Sequence, residues 1–152
     1  MDELNRRILD ALQYEFPLSE RPYEDLAQRL GLDADQLWQR VERMIEQGVI
    51  RRLGASIDSR KLGFSSTLAA VRVRSDLVER AAEVIDGYRE VTHSYLRGHE
   101  FNIWFTVIAA NEDRIDAILN EIRGSLSLNP ADVLNLPMKR MFKLDARFNA
   151  RP

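Results

Sequence analysis

The residues of this chain best suited to acid–base chemistry lie together near its middle. The only two histidines, His93 and His99, stand six residues apart, and Tyr95 and Arg97 lie between them. Histidine exchanges protons near neutral pH, whereas arginine binds carboxylates through two parallel hydrogen bonds. The segment therefore combines acid–base groups with a binding group for anions.

The local pattern predicts how these side chains are arranged. Residues 91–96 favour a β-strand, in which successive side chains point to opposite faces. We therefore expect His93, Tyr95 and Arg97 on one face of a sheet, with a hairpin turn at residues 97–99. Because His99 lies beyond this turn, the alternation does not fix its direction. The competing interpretation is that these are ordinary surface residues near a hairpin.

The surrounding elements must position this strand. Residues 64–148 show the order strand, helix, strand, strand, helix, strand. Each helical stretch carries apolar residues at the spacing i, i+3, i+4, i+7. The strands are predicted at residues 64–73, 91–96, 101–109 and 133–144. This is an α+β, ferredoxin-like βαββαβ domain with both helices on one face of an antiparallel sheet. The other face is left for a ligand or a partner subunit.

The N-terminal residues 1–57 predict a winged helix-turn-helix domain. A first helix ends at Pro17, a second begins at Pro22, and Gly31 fits a left-handed cap at its end. Asp33 is suited to cap a third helix. Residues 49–57 are interpreted as two short extended runs, which would form a small wing.

Two segments are predicted to carry no regular structure. Residues 58–63 are expected to be a linker between the two domains. Residues 149–152 are expected to be a loose tail, since chain ends are poorly ordered unless something ties them down.

The charge of the helix-turn-helix disfavours DNA as a partner. Up to Leu53 the chain has eleven acidic residues against eight arginines. The third helix begins with Asp33, Asp35 and Trp38, at the end that normally approaches the major groove. Binding to DNA requires cations that replace phosphate counterions. We therefore expect this module to be a retained scaffold.

Composition narrows the remaining function classes. The 152 residues carry a net charge of −2 and no cysteine, which excludes disulfides, thiolate metal sites and a cysteine nucleophile. No apolar run approaches the ~18 residues of a membrane span. The acidic start does not resemble a signal peptide, so a cytoplasmic protein is expected. Glycine-rich phosphate loops and the HExxH metal motif are absent, and no protein-held metal is predicted.

Basic residues flank the linker and the last strand, and they suit a ligand that bears many carboxylates. A solvated surface is the alternative interpretation of these charges. They are Arg51, Arg52, Arg60, Lys61, Lys139, Arg140, Lys143 and Arg147. In the hydrophobic strand, Trp104 and Phe105 are neighbours, so one of them must face away from the helices.

These features together resemble a known family. The helix-turn-helix followed by a ferredoxin-like domain resembles the Lrp/AsnC regulators. Particular stretches resemble one branch of that family, the siroheme decarboxylases. They are residues 16–23 (FPLSERPY), 50–55 with 58–64 (IRRLGA, DSRKLGF), 92–106 (THSYLRGHEFNIWFT) and 136–137 with 140–144 (LP, RMFKL). The stretch 92–106 is the most specific, because DNA-binding relatives have no reason to keep its histidines, tyrosine and arginine.

The resemblance implies an enzyme. Members of this branch remove the carboxyl groups of two acetate side chains of siroheme and give didecarboxysiroheme. They serve alternative heme synthesis or synthesis of the specialised heme of denitrifiers. They commonly work as pairs of related subunits, so a heterodimer with a paralogous chain is expected.

Decarboxylation is compatible with the residues present. Loss of CO₂ leaves carbanion character that the conjugated macrocycle can spread, so no separate cofactor is expected. We hypothesise that His93 is a proton donor or a ligand of the siroheme iron, with His99 as its complement. Substrate carboxylates and the macrocycle are expected to contact Arg52, Lys61, Tyr95, Arg97, Trp104 and Arg140.

Two alternatives stay open at this point. The first is an Lrp/AsnC-type transcriptional regulator that binds DNA and a small effector. The second is a catalytically silent subunit that supports an active paralogue.

Overall fold

The computed structural model describes residues 1–150, which divide into two compact units. The first unit comprises residues 1–55 with the C-terminal segment from residue 143, and the second comprises residues 56–142. None of the helices within residues 1–150 combines the length and the apolar character that crossing a membrane would need. The helices are α1 (Glu3–Tyr14), α2 (Pro22–Leu30), α3 (Ala34–Glu46), α4 (Val78–Asp86) and α5 (Glu112–Ser125), and the strands are β1 (Ser65–Val71), β2 (Val91–Leu96), β3 (Ile103–Ala109) and β4 (Val133–Pro137).

The first unit is built on the predicted helix-turn-helix. Pro22 stands at the start of α2, and Gly31 ends that helix with a φ of 73°. Asp33 accepts a hydrogen bond of 2.7 Å from the backbone N–H of Gln36 and so caps α3. Such caps satisfy donors that a helix start leaves unbonded. One apolar face of each helix closes a buried core that includes Ile8, Leu26, Leu37, Val41 and Met44.

The predicted wing is not formed. Residues 49–57 contain no strand, and Arg51 and Arg52 are exposed. A 3₁₀ helix begins at Ser59, immediately after this segment. The two short runs therefore do not pair, and an extended run without a paired neighbour does not become a strand.

The C-terminal segment overturns three predictions of boundaries. The last strand was expected to reach residue 144 and the second domain residue 148, but β4 ends at Pro137 and residues 143–150 belong to the first unit. We call residues 143–150 the C-terminal strap. The tail was expected to be loose from residue 149, yet Ala150 is 6 % exposed within the core of the first unit. The last two residues of that predicted tail, 151–152, lie outside the described residues.

Hydrogen bonds explain why the strap is held. The Ala150 N–H donates to Asp10 (2.9 Å), and Arg6 donates to the Ala150 carbonyl (2.6 Å). Gln13 and the backbone of Phe148 exchange two further bonds, of 3.1 and 3.2 Å. These partners lie more than 130 residues away in sequence, so a local pattern could not indicate them.

The second unit has the predicted βαββαβ order. Its antiparallel sheet has the strand order β2-β3-β1-β4. The helices α4 and α5 cover one face, where Ile85 and Ile118 pack with Phe105 and Val107 in a buried core. The other face, which we call the open face, carries the alternate residues of each strand.

The predicted linker is part of this second unit. Residues 59–62 form a 3₁₀ helix, and the unit begins at residue 56 instead of 64. Asp58 caps that helix by accepting from the Arg60 N–H at 3.2 Å, and its carboxylate also binds the Arg60 guanidinium. The guanidinium holds the pKa of Asp58 below its usual value.

Candidate active site on the open face of the sheet

Strand β2 places its histidine on the open face. His93 pairs with Thr106 and Tyr95 with Trp104, whereas Ser94 pairs with the buried Phe105. The Ser94 hydroxyl donates to Asp86 of α4 at 2.6 Å, which marks the helix-covered face. His93 and Tyr95 therefore point away from the helices, as the alternation predicts.

The predicted trio of side chains is brought together. The rings of His93 and Tyr95 lie 6.4 Å apart and nearly parallel. The guanidinium of Arg97 lies 5.8 Å from the Tyr95 ring, so it continues the same row. Tyr95 is 52 % exposed, so about half of this residue is accessible to a ligand.

A β-bulge precedes His93. The register between β2 and β3 shifts between Val91 and His93, so Thr92 is an extra residue in the ladder. A bulge rotates the residues that follow it and commonly lies near functional sites. The Thr92 hydroxyl lies 3.0 Å from the Nδ1 of His93, which orients the imidazole.

His99 lies in a loop that is longer than the predicted hairpin turn. The turn was expected at residues 97–99, but β3 begins only at Ile103 and the Arg97 N–H donates to the Asn102 carbonyl at 2.8 Å. Within this loop, residues 97–102, the His99 Nδ1 accepts from the backbone N–H of Phe101 at 3.1 Å. The loop thus fixes the orientation of the His99 side chain, which strand alternation did not predict.

Trp104 connects the two histidine regions. It pairs across the strands with Tyr95, and its ring lies 6.3 Å from that of His99. The indole N–H donates to the Phe101 carbonyl at 2.7 Å, which satisfies the polar end of this half-exposed side chain. Of the two neighbouring aromatic residues, Trp104 is therefore the one on the open face, whereas Phe105 is core.

Apolar side chains continue the open face beyond the histidines. The pairing places His93, Thr106, Leu68 and Leu136 in one row that crosses all four strands. Leu68 and Leu136 are each 44 % exposed. Three strand spacings make this row about 14 Å long. The face is suited to a broad, flat and largely apolar ligand.

The other predicted binding residues are not gathered at the histidines. Arg140 follows β4, at the sheet edge opposite β2, and its guanidinium lies 4.7 Å from the Phe142 ring. Lys61 lies in the 3₁₀ helix before β1. Arg60 of the same helix contacts the sulfur atoms of Met138 and Met141 at 3.7 and 3.8 Å, so these two basic segments are neighbours.

Arg52 lies in the first unit, where it is exposed. Its part in binding stays a prediction.

Comparisons with known proteins identify the family. A model described as an AsnC-like ligand binding domain matches residues 61–143, and one described as a siroheme decarboxylase NirDL-like HTH domain matches residues 5–51. The siroheme decarboxylase alpha subunit of Desulfovibrio desulfuricans is 43 % identical over 97 % of this chain and 84 % of its own length. The chain belongs to the siroheme decarboxylase family. The resemblance inferred from its sequence is confirmed.

Solved structures support the same assignment and the fold. The siroheme decarboxylase NirDL in complex with an iron-uroporphyrin III analogue is 27 % identical, with a TM-score of 0.68 over 93 % of this chain and 47 % of that one. An AsnC family transcriptional regulator from Agrobacterium tumefaciens is also 27 % identical, with a TM-score of 0.76 over 97 % and 96 %. The α+β fold with an N-terminal helix-turn-helix is therefore shared by decarboxylases and regulators.

Two residues beside the siroheme decarboxylase motif were missed by sequence reasoning. Arg72 binds Asp132 at 2.7 Å and Glu100 at 3.3 Å, and it lies 5.4 Å from the Phe101 ring. Its hydrogen bond holds the pKa of Asp132 below the usual range. Asn102 bonds the backbone of Val73 through its side chain. Both tie the His99 loop to β1, and no local pattern signals such long-range bonds.

Proposed function

We propose that this chain is a subunit of a siroheme decarboxylase that converts siroheme to didecarboxysiroheme. The observation that carries the proposal is the row of His93, Tyr95 and Arg97 on an open sheet face, beside Trp104. It occurs in a chain that is 43 % identical to a siroheme decarboxylase alpha subunit. The row combines proton donors with a carboxylate-binding group where a flat ligand has room.

The reaction requires no oxidant or reductant from the protein. At each acetate side chain the bond between the methylene carbon and the carboxylate breaks, CO₂ leaves, and the electron pair stays on the methylene carbon. The conjugated macrocycle spreads that charge, and a proton then converts the carbon to a methyl group. The protein must hold the carboxylates and supply this proton, so we propose that no separate cofactor is needed. The iron belongs to the substrate.

Specific residues are proposed for these tasks. His93 delivers the proton or binds the siroheme iron, and His99 complements it. Arg97 and Tyr95 bind the carboxylate that is lost, since a guanidinium matches a carboxylate in geometry and charge. Trp104 packs against the macrocycle, whose apolar body suits the exposed leucines of the open face.

The basic residues at the far edge fit the rest of the substrate. Siroheme carries carboxylates around its whole periphery, so its far side needs cations at a distance from the reacting acetate. Arg140 follows β4 at the edge opposite β2, and Lys61 lies in the neighbouring 3₁₀ helix, whose Arg60 contacts Met138 and Met141. We propose that Arg140 and Lys61 hold these distant carboxylates.

A partner subunit is part of the proposal. The D. desulfuricans relative is named an alpha subunit, which implies a second type of chain in that enzyme. We propose a heterodimer with a paralogous chain in the cytoplasm.

The test is decarboxylation itself. The purified chain, alone and with each paralogous chain of the same organism, is mixed with siroheme without air, and product mass is followed. We expect the loss of two CO₂ per siroheme with the correct partner. A mixture in which His93→Ala replaces the wild-type chain reports any activity of the partner. An unchanged mass with every paralogue would contradict the proposal.

The second candidate is a transcriptional regulator, which the likeness to the A. tumefaciens protein favours. In the structure, however, side chains of the third helix that could contact DNA are engaged within the chain. Arg40 of α3 is engaged by Asp2 at 2.9 Å and Asn5 at 2.8 Å, and Trp38 packs edge-on against Tyr23. Visible spectra with siroheme and mobility shifts of promoter DNA discriminate the two functions. A regulator would shift DNA in a salt-dependent way and leave siroheme unaltered.

A further inference from the structure

The loop at residues 97–102 is held more firmly than its length suggests. Loops on protein surfaces are usually mobile unless their polar groups are tied to the scaffold. Here the bond from the Arg97 N–H to the Asn102 carbonyl closes the loop at its base. His99 lies near its tip, so the fixation of this histidine depends on the residues that anchor the loop.

Asn102 is the main anchor. Its side-chain oxygen accepts from the Val73 N–H at 3.0 Å, and its side-chain nitrogen donates to the Val73 carbonyl at 2.9 Å. Its backbone N–H donates to the Val71 carbonyl at 3.0 Å. The carboxamide thereby extends the β1–β3 ladder beyond its last pair, Val71 with Ile103. Bonding both the N–H and the carbonyl of Val73 requires one acceptor and one donor on a short side chain, and asparagine provides both.

This anchoring also affects the ring of His99. The Phe101 N–H, which donates to His99 Nδ1 at 3.1 Å, belongs to the residue directly before Asn102. The Phe101 carbonyl is held in turn by the Trp104 indole at 2.7 Å. A backbone N–H can only donate, so Nδ1 must carry a lone pair. The neutral imidazole then bears its hydrogen on Nε2.

We propose that Asn102 is a positioning residue that holds the His99 loop so that the Phe101 amide fixes His99 in the Nε2–H tautomer. His99 then presents a hydrogen-bond donor instead of a lone pair at Nε2. Because Nδ1 is occupied by the amide, the neutral ring has no free nitrogen with which to bind iron. His93 differs, since its Nδ1 meets a hydroxyl that can either donate or accept. The catalytic consequence rests on the proposed function, but the tautomer does not.

The first experiment reads the tautomer by NMR. The full chain is labelled with ¹⁵N-histidine and studied in alkaline buffer, where imidazoles are neutral. Two-bond and three-bond couplings then identify the protonated nitrogen of each ring, and His93→Gln assigns the signals. We expect His99 to be the Nε2–H tautomer. A protonated Nδ1 in the wild-type chain would overturn the proposal whatever the variants do.

The variants then test Asn102. We expect Asn102→Ala to give a mixture of His99 tautomers, with the signals of His93 unchanged. Asn102→Asp has nearly the same shape but lacks the donor to Val73, and serves if the alanine variant fails to fold. The matched control is Asn135→Ala, because Asn135 also bonds through its side chain but on the helix-covered face, to Thr67 and Asp116. An unchanged His99 tautomer in both Asn102 variants would contradict the proposal.

Activity provides a separate readout. With siroheme and the partner subunit, we expect Asn102→Ala to lower kcat by about tenfold to hundredfold, the range for a displaced catalytic group. KM should change less than kcat, because the bond that holds Arg97 is made to the backbone carbonyl of residue 102, which the substitution keeps. If the wild-type chain itself fails to decarboxylate siroheme, the proposed function is wrong. The NMR outcome would still decide whether Asn102 positions His99.

Discussion

Several polar side chains in the two units of this chain are used in opposite ways. In the first unit, Arg6, Gln13 and Arg40 bind groups of their own unit, including the carbonyls of Phe148 and Ala150. In the second unit, Tyr95 and Arg97 lie on an open face, where their side chains lie against each other and the Tyr95 ring lies beside His93.

The difference indicates which unit is suited to carry the proposed chemistry. Polar groups that already bond within a unit stabilise it, since a bond to a ligand would have to replace an existing one. Exposed polar groups that lie in a row at fixed distances can form hydrogen bonds to a ligand without breaking existing ones. The helix-turn-helix is therefore a structural module in this chain, and the sheet carries the candidate site.

The largest effect is expected at His93. We predict that His93→Ala lowers kcat at least about a hundredfold, the usual contribution of a general acid. Arg43→Ala is the control in the first unit. Arg43 is exposed on α3, and its Nε donates to the Gln39 carbonyl of the same helix. The rate of CO₂ loss from siroheme decides the comparison. Equal losses for both variants would show that chemistry is not confined to the second unit.

Arg97 is expected to have a smaller effect, on substrate binding. Arg97→Lys keeps the charge but loses the planar fork that grips a carboxylate, so we predict a KM about tenfold higher with a similar kcat. Arg74→Lys is the matched control, because Arg74 is exposed in the same unit and its guanidinium binds Asp76. Initial rates over a range of siroheme concentrations give both constants. A KM unaffected by Arg97→Lys would contradict the prediction that its guanidinium grips a substrate carboxylate.

The sequence could predict the parts of this molecule that follow from short-range rules. Strand alternation places His93, Tyr95 and Arg97 on one face, and the helix caps at Gly31 and Asp33 follow from local chemistry. Both predictions are confirmed.

The parts that sequence reasoning missed depend on distant partners. The apolar residues after Pro137 resemble a continued strand, but no neighbouring strand pairs with them in the described residues, and the strap binds α1 instead. Asn102 acts on Val73, which lies 29 residues earlier. Such bonds are set by the tertiary fold, so only the structure reveals them.

The strap is predicted to stabilise the first unit alone. Arg6→Ala removes the bond to the Ala150 carbonyl and should lower the free energy of unfolding of that unit by about 1 kcal/mol. Arg7→Ala, one residue along and exposed, should cost less. Urea unfolding in a Trp104→Phe background makes Trp38 the only tryptophan, so its fluorescence reports the first unit. Equal effects of both arginines would show that the strap bond contributes nothing.

The smallest effect is a pH dependence of the strap. Hydrogen bonds from the Arg147 guanidinium, then from its backbone N–H, lower the pKa of Asp145 from 3.8 to about 2. A lowered pKa in the folded state means that this carboxylate stabilises the strap above pH 3.8, and that the contribution is lost as pH falls towards 2. Arg147 also lies 4.8 Å from the Tyr14 ring of α1, so its release loosens the contact of the strap with α1.

The Phe148 amide is a suitable reporter of this titration, because it donates to Gln13, which does not ionise. We expect its NMR chemical shift to move as the pH falls from about 4 to about 2. The amide of Val107, which is buried in the second unit, should not yet move when this fall begins. Asp2 also has a lowered pKa, through Arg40, and titrates in the same unit. Asp145→Asn separates the two, because it should abolish the part of the Phe148 transition that belongs to the strap. A transition that survives this substitution intact would assign the pH dependence to the helices of the first unit instead.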